Sequence, residues 1–351
     1  MVLTYRYEEL ILFCEKVFHS LGFSPEDSKI AAEAIVHANL QGVDSHGISR
    51  LSVYAKRIQE GRINAVPTLS VENPTDSILI VDGDNGLGQV VASRALGKGI
   101  EIAKEKGVAI VAVKRSNHLG AVSYYCEKAC AEGLLSISFT NSPPGIVPFG
   151  GKKAFFGTNP IAMGIPTGTD TPILMDMSTS VISRGKIMLA AKEKQPIPTH
   201  WAINKEGVPT TNPEEALEGA LLPVGGVKGS LLAMAVEIFS GILTGAAYGP
   251  HVQSLFEDDH GPANVGHFFI LMDIAPFMAP PLFNTLVQQF IQELKEVPLA
   301  EGVEEILYPG ERRKREYERR LRDGVPVPES IFCELRELAW KLKVPIINCT
   351  N

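Results

Sequence analysis

Between residues 77 and 140, short β-rich runs alternate with helical stretches, and that alternation restricts the chain to an α/β architecture. Ser77-Ile78-Leu79-Ile80-Val81 reads as a strand, Val90 to Lys106 as a helix and Val108 to Val113 as a second strand. Ser123 to Glu132 reads as another helix and Leu135 to Thr140 as another strand. Before this region the chain is helical. The pattern predicts a helix from Tyr7 to Leu21, then a second one opened by Ser24 as N-cap with Pro25 at its first position. Ile30, Ala31, Ala34, Ile35 and Ala38 share a face of that second helix, Gly42 is its stop, and a third helix should run from Ser45 to Gly61. After Ser142 come glycine- and proline-rich turns, with Ile173 to Met177 as a strand among them. Residues 190–225 look loop-rich. Lys228 to Ala247 is apolar enough to be a helix at the centre of a domain. Phe268 to Met272 is a strand, and Pro281 to Lys295 and Glu329 to Lys343 are closing helices. No internal repeat is visible.

An α/β chain invites a search for a dinucleotide fingerprint, and the nearest match fails. Gly86-Leu87-Gly88-Gln89-Val90-Val91 supplies two glycines, but Val91 stands where close helix–strand packing wants Gly or Ala. Lys114-Arg115 replaces the acid expected at the end of the next strand. The segment therefore reads as a tight glycine turn. A dinucleotide site in this chain must use another fold.

Composition narrows the function further. The chain has 351 residues, 45% hydrophobic and 21% charged, with a net charge of -7. That mass supports two or three domains, and the acidic balance argues against nucleic acid as a partner. The one basic run, Glu311-Arg312-Arg313-Lys314-Arg315-Glu316 continuing to Arg320, interleaves carboxylates and reads as a solvated helix laced with ion pairs. Cys14, Cys126, Cys130, Cys333 and Cys349 fit no disulfide framework, and Cys126 and Cys130 read as small buried hydrophobes. No secretory signal or membrane span is apparent, so the cytoplasm is the expected compartment. His260 after Glu257-Asp258-Asp259 reads as a solvated loop, and no metal is expected. There is no nucleophile elbow and no P-loop.

Two polar clusters are suited to a small carboxylic acid. Asp44-Ser45-His46-Gly47-Ile48-Ser49-Arg50 opens the third helix, and His46, Arg50 and Tyr54 fall at i, i+4 and i+8 along one face, with Arg57 a turn further. Arg can fork onto a carboxylate, His can move a proton, and the helix start at Ser45 favours anions. The same spacing also describes an ordinary amphipathic helix whose polar face meets water. Ser116-Asn117-His118-Leu119-Gly120 follows a strand end, where α/β enzymes place function. His118 suits the acid/base that takes an alcohol proton as hydride leaves, though a hydrogen-bonded loop histidine would look the same.

Taken together, these segments resemble the malate/L-lactate dehydrogenase family that is distinct from the Rossmann lactate and malate dehydrogenases. The resemblance is carried by Asp44-Ser45-His46-Gly47 with Arg50 and Tyr54, Asn117-His118-Leu119-Gly120, Val147-Pro148-Phe149-Gly150-Gly151 and Gly157-Thr158-Asn159-Pro160. It continues through Asp176-Met177-Ser178-Thr179, Gly185-Lys186, Gly207-Val208-Pro209-Thr210-Thr211 and Lys228-Gly229 to Gly249-Pro250-His251 and Asn264-Val265-Gly266-His267. It implies a non-Rossmann, mixed-sheet dinucleotide-binding domain over residues 71–275, with a helical domain built from segments 1–70 and 276–351. It also implies a homodimer with the active site at the interface, and NAD or NADP as cofactor, NAD favoured. Ser142, Asp176, Met177, Ser178 and Lys228 would line that cofactor. Ser45, Arg50 and Tyr54 would hold the substrate. His118 would be the acid/base, with His46 its rival. Pro143-Pro144 follow Ser142 where ureidoglycolate-type relatives tend to carry an acid, which favours a malate, lactate or sulfolactate type. Ureidoglycolate, a keto sugar acid and a cyclic imino acid remain alternative substrates, and a non-catalytic carboxylate- or nucleotide-binding protein is the distant alternative.

Overall fold

A computed structural model of the chain describes residues 2–255 and 261–347. The acidic run before His260, His260 itself and Cys349 lie outside the described residues. The chain opens with β1 (Val2–Tyr5), α1 (Tyr7–Ser20) and α2 (Pro25–Leu40). Ser24 caps α2 by accepting the Asp27 N–H at 3.1 Å, and Pro25 occupies its first position, as the sequence suggests. The expected third helix is shorter than its pattern. Asp44–His46 and Ile48–Arg50 form two 3-10 turns, and only Leu51–Gln59 is α-helical, as α3.

The αβ region follows as β2 (Ser70–Thr75), β3 (Ile78–Asp82), α4 (Gly88–Lys106), β4 (Val108–Ser116), α5 (Ser123–Ala131) and β5 (Leu134–Thr140). Next come β6 (Ile161–Ile165), β7 (Ile173–Met177), α6 (Arg184–Glu193), β8 (Ala202–Ile203), α7 (Pro213–Glu218), β9 (Ala220–Leu221) and α8 (Val227–Glu237). The chain closes with β10 (Val265–Asp273), α9 (Pro280–Glu296), α10 (Glu311–Asp323), β11 (Val325–Pro328) and α11 (Glu329–Leu342). The sequence pattern passes over β2, β6 and α6. β2 is almost wholly exposed and contains a proline, and β6 is a five-residue strand carrying a glycine, so neither offers a strong period-two signal.

Seven strands form one mixed sheet in the order β2-β3-β4-β10-β5-β6-β7. β3 and β4 are parallel, joined through α4, and the other neighbours are antiparallel. α4 and α5 cover one face, burying Leu79, Val81, Val91, Leu96, Val111, Tyr125 and Phe269. Cys126 and Cys130 are buried in α5, and burial pushes both thiols up, Cys126 to about 11. α8 and the π-turn Ile238–Ile242 lie on the opposite face, where Phe239 stacks on Phe139 at 5.6 Å. Gly266 permits this approach, because a Cβ there would sit 1.7 Å from the Ser240 carbonyl oxygen.

α8 departs from the central position that its hydropathy suggests. Its inward face carries Gly229, Ser230, Ala233, Val236 and Glu237, while Leu231 and Met234, and beyond its end Ile238, Ile242 and Leu243, are exposed in the single chain. The two chain ends share another core. β1 pairs antiparallel with β11, and Leu10, Phe13, Val17 and Phe18 pack in one cluster with Val325, Val327, Leu335 and Leu338. Leu335→Ala should therefore lower stability by about 2–5 kcal/mol. Denaturant melts followed by tryptophan fluorescence and by circular dichroism would check this. A loss under about 1 kcal/mol would show that α11 is an appendage and no part of that core.

Candidate functional site

β4 delivers Asn117 and His118 at the end of the sheet, just after Arg115, whose φ is +50°. Asn117 Nδ2 donates to the carbonyl oxygens of Asn85 (3.0 Å) and Gly86 (2.8 Å), locking this exit onto the turn before α4. A Cβ on Gly88 would lie 2.2 Å from Asn117 O and 2.4 Å from His118 O. The glycine turn is thus bare so that α4 can begin against the backbone of His118.

α4 carries the buried Gln89, whose Nε2 donates to the Tyr54 hydroxyl at 3.0 Å. That hydroxyl lies 2.6 Å from His118 Nδ1, so α3, α4 and the β4 exit converge on one ring. Nδ1 is engaged, which leaves Nε2 for a reactant. Either ring nitrogen of the neutral His118 can carry the proton in this contact. A proton on Nδ1, donated to the Tyr54 oxygen, leaves an open lone pair on Nε2, and protonating Nε2 preserves the same contact. Burial, then His46, Arg50 and His267, push His118 well below the ordinary imidazole value of 6.5. Tyr54 is raised to about 12, chiefly by burial, and stays a neutral hydroxyl.

His46 stacks on His118 with ring centroids 5.5 Å apart and planes 25° off parallel. Burial, then Arg50, push it down to about 4; Asp176 opposes the shift and Arg313 adds to it. The loop that presents His46 is held from both sides. Asn39 Oδ1 accepts the Ile48 N–H at 2.7 Å, and its Nδ2 donates to Asp44 Oδ1 at 2.6 Å. Arg320 of α10 forks onto both Asp44 oxygens at 2.6 and 2.9 Å. Gly47 must be glycine, since a Cβ would fall 2.2 Å from Asn39 Oδ1. Ser45 Oγ lies 2.9 Å from His46 Nδ1, and Arg50 Nε donates to the Ser45 carbonyl oxygen at 2.6 Å. Ser45, His46, Arg50 and Tyr54 do assemble beside His118, but two 3-10 turns and a short helix bring them there instead of one continuous helical stripe. Arg57 is not among them. It is buried and donates to the carbonyl oxygens of Ser254 (3.0 Å) and Gly261 (3.4 Å).

The residues expected to line a cofactor divide. Ser142 Oγ accepts the Thr158 N–H at 3.0 Å, and the Ser142 N–H donates to Asn159 Oδ1 at 3.2 Å. Thr179 N–H donates to Thr158 O, and Val224 N–H to Thr179 O, which draws the segments around Ser142, Ser178 and Lys228 into one cluster. Lys228 is exposed near the start of α8, just after Gly225 and Gly226, both at positive φ, and Met177 is exposed. Asp176 turns the other way: its Oδ2 accepts the Ser123 N–H at 3.0 Å and lies 3.5 Å from Arg313 Nη1. Beneath the Ser142 cluster the buried Glu237 accepts from Asn141 (3.1 Å), Asn159 (2.6 Å) and the Gly249 N–H (2.7 Å).

Asn39, Gln89, Glu237, Arg313 and Arg320 escape a reading of the sequence alone. The two arginines are hidden in a charge run whose other members do form ion pairs, the half-buried Lys314 with Asp170 and the exposed Arg315 with Glu305. Arg115 is engaged by Asp82 (3.2 Å) and Asp84 (3.0 Å). Among the described residues no group of three or more His, Cys, Asp or Glu is placed to hold a metal ion. No described helix is long and apolar enough to cross a membrane.

The family model described as malate/L-lactate dehydrogenase matches residues 5–336, and the chain belongs to that family. It is 40% identical over 345 residues to the malate dehydrogenase of Pyrococcus horikoshii, covering 96% of this chain and 95% of that one. It is 34% identical to the ureidoglycolate dehydrogenase (NAD(+)) of Escherichia coli K12, covering 93% of each chain. The solved structure of the sulfolactate dehydrogenase from Methanocaldococcus jannaschii superimposes with a TM-score of 0.92 at 37% identity, covering 99% of this chain and 98% of that one.

Three buried or stacked histidines set an acid limit on the fold. His46 and His267 are depressed to about 4 and about 3, both chiefly by burial, and His118 is depressed well below 6.5. Below pH 6.5 the unfolded chain therefore binds more protons than the folded one. Their contribution is fully present above that pH and is lost as pH falls toward the folded-state values. The melting temperature should begin to drop near pH 6.5, above the carboxylate range, and a flat melting temperature from about pH 7 to about pH 5 would contradict this.

Proposed function

We propose that this protein is a dehydrogenase that moves a hydride between NAD(P) and a small 2-hydroxy or 2-keto carboxylic acid of the malate, lactate or sulfolactate type. The observation that carries this reading is the Gln89–Tyr54–His118 chain at the end of β4, with His46 and Arg50 beside it. In alcohol oxidation His118 Nε2 takes the hydroxyl proton while Nδ1 stays bonded to Tyr54. In the reverse direction Nε2 returns it to the carbonyl oxygen. Arg50 binds the carboxylate of the substrate, Ser45 orients His46, and His46 lies against the His118 ring. The depressed His118 keeps its base form at neutral pH, which favours its role in oxidation.

The chain's residues fit a dinucleotide. Two glycines at positive φ lead into the N-terminal amides of α8, with Lys228 beside them, and such a terminus suits a pyrophosphate. Ser142, Ser178 and Met177 would flank the rest of the cofactor, while Asp176 faces the reacting end. The nicotinamide supplies the hydride acceptor or donor. We read this as a dinucleotide site outside the Rossmann design, supported by a sheet in which β3 and β4 are the parallel pair. NAD is preferred over NADP in this reading, because Arg115 is already held by two carboxylates.

We divide the chain into residues 71–275 around the mixed sheet and a helical unit made of 1–70 and 276–351, supported by the core the two ends share. A second copy completes the assembly. Leu282, Leu286 and Phe290 stand at i, i+4 and i+8 on α9 with no buried residue in that helix, and α8 exposes its own apolar face. The four described cysteines are free thiols, in keeping with a cytoplasmic protein.

Reduced NAD or NADP mixed with a panel of 2-keto acids should lose absorbance, and no turnover with any member would favour a binding protein instead. His118→Ala should lower kcat by about 10²–10⁴-fold while cofactor still binds. His46→Ala should act more through KM. The reverse pattern would exchange the two roles. Arg50→Lys keeps the charge but loses the fork, so KM for the acid should rise more than kcat falls. Light scattering should give a dimer at assay concentration, and a fully active monomer would remove that part of the reading.

A further inference from the structure

α10 turns one face toward the site. Arg313, Glu316, Tyr317 and Arg320 lie at i, i+3, i+4 and i+7, a single stripe of a helix. Arg320 grips Asp44 and thereby the loop of His46. Two turns earlier Arg313 reaches Ser123 Oγ and Asp176 Oδ2 through Nη1, with its side chain 15% exposed. A guanidinium has five N–H donors. Among the described residues only those on Nη1 have a protein partner. Its contact with Asp176 is long, at 3.5 Å, and the closer partner of that carboxylate is the Ser123 N–H at 3.0 Å. Arg313 is thus a mostly buried cation whose fork is largely unspent, and its charge is felt at His46.

We propose that Arg313 is a specificity-determining residue that binds a second anionic group on the substrate. The preferred reactants are then 2-hydroxy and 2-keto acids that carry a carboxylate or sulfonate at the far end, and not lactate or pyruvate. This rests on reading the site as that of a 2-hydroxyacid dehydrogenase. The charges agree with it. Both histidines are neutral at neutral pH, and the charged groups that act on His46 are Arg50, Asp176 and Arg313. Arg50 meets the carboxylate next to the reacting carbon. Arg313, shared loosely with Asp176, meets the other anion through a planar pair of N–H groups, the geometry that carboxylates and sulfonates accept. A monoanion leaves that fork without a partner.

The test uses the full-length enzyme with its preferred reduced nicotinamide and three substrates: oxaloacetate, 3-sulfopyruvate and pyruvate. The wild-type should favour one or both dianions over pyruvate, and which dianion leads identifies the second group as carboxylate or sulfonate. Arg313→Met should lower kcat/KM for the dianions by about 10²-fold, mostly through KM, with pyruvate turnover kept within a few-fold. Arg313→Lys should restore part of the preference. If Arg313→Met does not fold, Arg313→Lys decides alone, since losing the fork must lower the dianion-to-pyruvate ratio. Equal losses on all three substrates would mean that Arg313 only neutralises Asp176, and would overturn the assignment. Wild-type turnover of pyruvate without preference for a dianion overturns it too and leaves the dehydrogenase reading standing. No turnover of any keto acid overturns both.

Discussion

The hydrogen bond between Tyr54 and His118 joins two parts of the chain that have separate cores. Tyr54 belongs to a helix anchored in the core shared by the chain ends, and His118 leaves the central sheet. Neither partner is free to choose its place. Tyr54 is buried and braced by Gln89, and His118 follows a strand exit pinned by Asn117. A rotamer change in either ring would strand a buried polar atom, which costs more than the net worth of the bond. The geometry of the site is therefore inherited from how α3, α4 and β4 pack.

The His46 side of the site depends on charge as well as packing. Asp44, Asn39 and Arg320 form a network that holds the loop, Arg320 being braced in turn by Glu316, and the bare Gly47 admits the Asn39 amide. Removing one member of such a network leaves the others desolvated and unpaired, so they act as a unit. This explains how two 3-10 turns, poor in hydrogen bonds of their own, present Ser45, His46 and Arg50 in a fixed order.

Much of this was legible in the sequence. Strands β3, β4, β5, β7 and β10 and the long helices announce themselves because hydrophobic period and turn residues agree there, and the Ser24 cap is readable from four residues. The failure of the glycine fingerprint was informative, since Gly88 turned out to serve the His118 backbone. His46, Arg50, Tyr54 and His118 were identifiable as residues, but the helical stripe proposed for three of them was not how they meet. Spacing cannot register that Gly47 leaves helical geometry to make room for Asn39. Nor can it tell which arginines of a charge run turn inward. Arg313 and Arg320 look like Arg315 and Arg319 until the helix is docked, and only then does the seven-residue spacing acquire a meaning. α8 misled for the opposite reason: its hydropathy is high, but much of that apolar surface is exposed, and the buried side carries Glu237 among small residues and Val236.

In the reaction proposed for it, the site's electrostatics change when substrate arrives. The histidines are neutral because burial and neighbouring cations, Arg50 above all at His46, penalise their charged forms. A bound carboxylate on Arg50 cancels much of that positive field. The proton affinity of His118 then rises in the complex, toward the value at which a ring both accepts and returns a proton near neutrality. Arg50, which holds the substrate, thus also bears on the base, and its effect is relieved when the substrate is in place. Before binding, His118 stays deprotonated and ready for an alcohol. With a keto acid bound, it can hold the proton that the carbonyl oxygen needs. The direction of the reaction is then set by the reactants, while Tyr54 supports Nδ1 unchanged through both.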